Sequence, residues 1–113
     1  MFAANTIIEG TESRVAIEGQ VDGPASSELE RKLNEAAEAR PGAVVLDMTQ
    51  VTFVTSAGLR VFLAFAKKMK KADRKIVFCG VQPGVLSVFE MVGFTRIMTF
   101  CDSIEAARAA CKA

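Results

Sequence analysis

Asp47-Met48-Thr49-Gln50-Val51-Thr52-Phe53-Val54-Thr55-Ser56-Ala57-Gly58-Leu59 is the stretch on which the reading of this chain turns. Ala43 to Met48 is a continuous apolar run broken only by Asp47 near its end. Such a run predicts a central strand, buried on both faces. A short polar connection is expected next, then a helix from Ser56 to about Lys71. The small, hydroxyl-bearing cluster Thr55-Ser56-Ala57-Gly58 therefore falls at a helix N-terminus. There the first backbone N–H groups lack intrahelical partners, and the helix dipole favours negative charge. Two roles compete for Thr55 and Ser56. One is an N-cap, the common start of a helix; the other is a phosphate acceptor at Ser56.

Outward from that helix, Leu59, Phe62, Leu63, Ala66 and Met69 share one face at 3.6-residue spacing, with Arg60, Ala64, Lys67, Lys68 and Lys71 opposite. Val61 and Phe65 lie at the margin. They widen the apolar arc either into a deep packing contact or into a docking edge beside Ser56. Upstream, Thr6–Glu9 and Ser13–Val21 read as strands around a turn at Gly10-Thr11. Asp22-Gly23-Pro24 breaks the second strand. A helix is expected from Ser27, with Glu30 completing a capping box and Leu29, Leu33, Ala36 and Ala37 as its core stripe, ending at Pro41-Gly42.

Downstream, Lys75–Val81 predicts a buried strand. Val85–Val92 predicts a helix apolar almost all round, closed by Gly93. Ile97–Phe100 predicts a last strand. Asp102, with Glu105 three residues on, is expected to cap a final helix carrying Ile104, Ala107 and Cys111. The order β-β-α-β-α-β-α-β-α implies an α/β fold: a mixed, mainly parallel sheet of about five strands with about four helices. Residues 1–113 are expected to form one domain. The Asp22 loop and the Ser56 loop both follow strands, so both belong to the carboxyl edge where α/β sheets carry function.

Composition narrows the function. The 113 residues are 50% hydrophobic with a net charge of +1, which gives no drive toward nucleic acid or anionic membrane. No apolar run approaches the roughly 18–20 residues a membrane span needs. A cytoplasmic protein without membrane insertion is expected. The three cysteines, Cys79, Cys101 and Cys111, have no metal-type spacing and read as reduced, small hydrophobes. With no histidine, Ser–His nucleophiles, common zinc sites and the commonest general base are absent. No Gly-Lys-Ser or Gly-Lys-Thr phosphate loop occurs. No enzyme, metal or cofactor is expected.

These motifs resemble the STAS domain, and within it the free-standing anti-sigma factor antagonists of bacteria, over essentially the whole chain. The residues that carry the resemblance are the Asp47–Leu59 stretch with its Ser56-Ala57-Gly58-Leu59, the Gly19-Gln20-Val21-Asp22 strand end and the late Gly93-Phe94. The resemblance places a phosphorylated serine on Ser56 and the family glycine on Gly58, with Asp22 and Asp47 at two acidic positions near the site. Thr55 stands where the family often has aspartate, and Ala57 where it often has a second hydroxyl. The function implied is partner switching. The unphosphorylated chain binds a GHKL-type anti-sigma (switch) serine kinase through Asp22, Thr55, Ser56, Ala57, Gly58, Arg60 and Val61, and releases the kinase's client. Phosphorylation of Ser56 ends binding, and a metal-dependent serine phosphatase resets the chain, which is a monomer when free. The runner-up is a STAS subunit of a lipid-transport ATPase complex with no phospho-switch. A nucleotide sensor lined by Asp22, Asp47 and the Ser56 loop, and a catalytic Ser56, complete the alternatives.

Overall fold

The computed structural model describes residues 2–93 and 98–112. The elements run β1 (Phe2–Glu9), β2 (Glu12–Val21), α1 (Gly23–Ala39), β3 (Val44–Val54), α2 (Ser56–Lys71), β4 (Ile76–Cys79), α3 (Pro83–Met91), β5 (Thr99–Cys101) and α4 (Ile104–Lys112). They form a five-stranded sheet in sequential order β1-β2-β3-β4-β5. β1 and β2 are antiparallel and the other pairs are parallel. The expected element order and mixed sheet are those observed.

The two sheet faces are covered unequally. On one, Val15, Ile17, Val21, Leu46, Met48, Val51 and Phe78 pack against Leu29 and Leu33 of α1, Phe62, Phe65 and Met69 of α2, and Val85 and Phe89 of α3. Phe62, Phe78, Phe89 and Phe100 form an aromatic cluster there, with ring centroids 5.1–5.8 Å apart. Phe65 takes the deep packing contact that was one of the two roles open to it, and Val61 is half-buried. The other face holds Val45, Val77, Cys79 and Ala107, with Ile104, Ala110 and both remaining cysteines around them. Only α4 covers it.

Several boundaries differ from the expectation. β1 starts at Phe2, not Thr6, because it pairs with β2 along its whole length. α1 starts at Gly23, not Ser27: Asp22 Oδ1 accepts the Ala25 N–H at 3.0 Å, and Pro24 fits a first turn that needs no donor from it. The Ser27–Glu30 capping box is therefore not used, and Ser27 sits exposed inside the helix. β4 stops at Cys79, where Gly80 takes φ +67°. α3 begins at Pro83, and Gly93 follows its C-cap Val92 with φ +74°, donating to the Glu90 carbonyl. α4 is capped by Ser103, whose Oγ accepts the Ala106 N–H, and not by Asp102. Phe94 of the Gly93-Phe94 pair and Ile97, the expected start of the last strand, lie outside the described residues.

The largest correction concerns β3. The segment after Met48 is no connection: β3 continues to Val54. Its ladder with β2 shifts register twice, so seven steps of β3, from Asp47 to Val54, match five of β2, from Ala16 to Val21. Each shift is a bulge that resets which side chains face the core. On the face under α1, α2 and α3 the buried residues fall at Val44, Leu46, Met48, Val51 and Val54, with spacings that change from two to three.

Candidate functional site

Val21 and Val54 are register partners at the carboxyl ends of β2 and β3, and a helix starts directly after each. The N-termini of α1 and α2 therefore lie side by side. Asp22 caps the first. Thr55 caps the second: its Oγ1 accepts the Gly58 N–H at 3.4 Å and donates to the Val21 carbonyl at 3.3 Å. The Thr55 N–H also donates to that carbonyl, at 2.9 Å. One threonine thus closes the helix and ties it to the neighbouring strand.

Of the two roles that competed in this cluster, the cap falls to Thr55. Ser56 is the first residue of α2 and is exposed. Its hydroxyl makes no hydrogen bond among the described residues. It projects at the positive end of α2, beside the start of α1.

Gly58 permits the close approach. A Cβ there would lie 2.6 Å from Val21 Cγ1 and 2.7 Å from the Val21 carbonyl oxygen, with Val54 Cγ1 at 3.1 Å. Any larger residue pushes α2, and Ser56 with it, off the end of β2. Ala57 is half-buried beside it and Arg60 is exposed one turn on from Ser56. α2 carries Arg60, Lys67, Lys68, Lys70 and Lys71 and no acidic residue. Val61 lies farther along, where Leu33, Asn34, Ala64, Phe65 and Lys68 join it around a cleft of about 150 Å³ between α1 and α2.

Asp22, Thr55, Ser56, Ala57, Gly58 and Arg60 are thus brought together at one end of the molecule, with Val61 farther along α2 in the cleft against α1. Asp47 is not. It pairs with Ala16, five residues before Val21, which puts it about 17 Å from the Ser56 end at about 3.3 Å per residue. Its Oδ1 accepts from the Thr49 N–H and hydroxyl, at 3.1 and 2.8 Å. Because β3 runs on past Met48, the acidic residue expected at a strand end sits in mid-strand. Phe53, which the sequence reading passed over, lies two residues before Thr55 near the end of β3. It is 54% exposed and pairs with Gln20 on the side of the sheet away from α1. Its signal was the break in spacing between Val51 and Val54, which turns both residues between them, Thr52 and Phe53, outward.

The STAS domain model matches residues 4–107, and the chain belongs to the STAS domain family. Among curated proteins it is 36% identical, over 85% of its length and 83% of the relative's, to BtrV of Bordetella bronchiseptica, whose name is that of a candidate anti-sigma factor antagonist. The fold matches the crystal structure of an anti-sigma factor antagonist from Mycobacterium paratuberculosis, with TM-score 0.90 at 19% identity over 100% of this chain and 96% of that one. It also matches the Bacillus cell fate determinant SpoIIAA in its phosphorylated form, with TM-score 0.72 at 15% identity over 97% and 99% of the two chains. Among the described residues, no helix is long and apolar enough to cross a membrane.

Proposed function

We propose that this chain is an anti-sigma factor antagonist that works by partner switching at Ser56. The observation that carries the reading is the division between two adjacent hydroxyls. Thr55 is committed to the cap and to Val21, whereas Ser56 is exposed and makes no hydrogen bond among the described residues. The names of the relatives and the phosphorylated state of SpoIIAA support it. In this reading the unphosphorylated chain binds a GHKL-type anti-sigma serine kinase and displaces that kinase's client. Asp22, Thr55, Ala57, Gly58, Arg60 and Val61 form the contact around Ser56, and Phe53 extends it. The kinase phosphorylates Ser56, and a metal-dependent phosphatase restores it. The chain is the substrate and regulator, not the catalyst.

The physics requires no change of fold. Phosphoserine adds about −1.5 to −2 charge. At the start of α2 the free N–H groups and the dipole accommodate that charge. The Asp22 carboxylate next door, and any partner carboxylate, do not. Near a protein surface two unit charges about 4 Å apart interact by roughly 4 kcal/mol, which is about a thousandfold in affinity. The five basic residues of α2 favour an acidic partner surface and a salt-dependent association rate.

The test uses Ser56→Ala and Ser56→Glu chains as baits in lysate of the native host, with bound proteins identified by mass spectrometry. Ser56→Ala is expected to retain a GHKL-type kinase that Ser56→Glu loses, while both melt within a few degrees of the unaltered chain. Retention of the kinase by Ser56→Glu, or loss of its fold, refutes the reading.

A further inference from the structure

The chain's three cysteines, far apart in sequence, meet on the sheet face under α4. Cys79 of β4 and Cys101 of β5 are direct register partners, so their side chains leave the same face of neighbouring strands. Cys111 of α4 packs on the same cluster. The row continues sideways through Asp47, the register partner of Cys79 on β3. All three thiols are free.

We propose that Cys79 and Cys101 are a dithiol–disulfide couple, oxidised by a low-molecular-weight disulfide, that reversibly staples the edge strand β5 to β4. Adjacent strands lie about 4.8 Å apart, inside the roughly 4.4–6.8 Å Cα separation that disulfides span. In-register side chains stand somewhat wider than a relaxed bridge prefers, so closure draws β5 inward. A three-residue strand at the sheet edge can make that adjustment. The residual strain makes the bond easy to reduce, which suits a reversible couple better than a permanent one.

The two thiols divide the chemistry. Cys101 is half-buried and meets the oxidant first; Cys79 is fully buried. The Cys101 thiolate attacks one sulfur of the small disulfide and expels the other as a thiolate. The Cys79 thiolate then attacks Cys101 Sγ in the mixed disulfide and expels the second small thiolate. The two protons lost by the cysteines end on the two released thiols. The protein gives up two electrons and the small disulfide accepts them. Burial, with the Asp47 carboxylate beside it, pushes the Cys79 thiol up to about 11, so the closing step is the slow one. Its rate rises about tenfold per pH unit below that value, in step with the thiolate fraction.

Trypsin separates the three cysteines: Cys79 falls in the peptide 76–96, Cys101 in 97–108 and Cys111 in 109–112. The folded full chain is incubated with oxidised glutathione at mildly alkaline pH, alkylated, digested and mapped by mass spectrometry. The expected product joins 76–96 to 97–108, leaves Cys111 alkylated, forms faster as pH rises and disappears with dithiothreitol. Cys111→Ser retains it and Cys101→Ser abolishes it. The proposal is overturned if glutathione stays on Cys101 with Cys79 still alkylated, if 97–108 joins 109–112 instead, if no thiol is lost, or if the bridge forms only in urea.

Discussion

The two faces of the sheet solve the problem of burial differently. On one, three helices close over an aromatic cluster in which Phe62, Phe78 and Phe89 are fully buried. On the other, one nine-residue helix covers Val45, Val77 and Cys79 with small and half-buried side chains. The first face holds the fold and also positions both helix N-termini at the Ser56 end. The second adds less packing and keeps ionisable groups, Asp47 and the thiols, under or beside α4. Stability and the geometry of the candidate switch therefore depend on the same face.

The largest expected effect tests that inequality. Phe78→Ala removes the ring shared by the other three aromatics and should cost about 3–5 kcal/mol. Ile104→Ala, on half-buried α4, should cost about 1 kcal/mol, because the removed methylenes were never fully withdrawn from water. Urea denaturation of both variants checks this; equal losses would dissolve the distinction between the faces. Next in size is Gly58→Ala. The added methyl meets Val21 and Val54 and should cost about 1–3 kcal/mol by overpacking. It should also weaken kinase binding with Ser56 unchanged, since α2 must shift. The smallest effect separates the neighbouring hydroxyls. Thr55→Ala loses the cap and the link to Val21, about 0.5–2 kcal/mol, whereas Ser56→Ala should stay within about 0.5 kcal/mol of the unaltered chain. Thermal melts of the two variants decide it.

Most of the architecture was legible because its periods were regular. Leu59, Phe62, Ala66 and Met69 announce the buried side of α2 by spacing alone, and all four are buried. β3 was legible only as far as Met48. The two bulges beyond it stretch the alternation from two residues to three, and a strand so interrupted reads as a polar linker. That one misreading carried Asp47 to the wrong end of the molecule and hid Phe53. The start of α1 was missed for a different reason. Asp22-Gly23-Pro24 is both a strand breaker and a helix opener, and the first reading obscured the second. The site itself was readable where local chemistry decides it, at Thr55, Ser56 and Gly58. What local chemistry does not encode is the partner of Gly58. The clash that excludes a side chain there comes from Val21, more than thirty residues away, and only the register of β2 on β3 brings them together.

The tie between Thr55 and Val21 has a consequence for how such a chain can change over generations. Because Thr55 alone supplies the cap of α2 and its tie to β2, the position after it is released from that architectural task. Serine, alanine or an acid can occupy position 56 with the same scaffold beneath. A lineage can therefore gain, lose or permanently fix a switch there by a single replacement, without first finding a compensating change elsewhere.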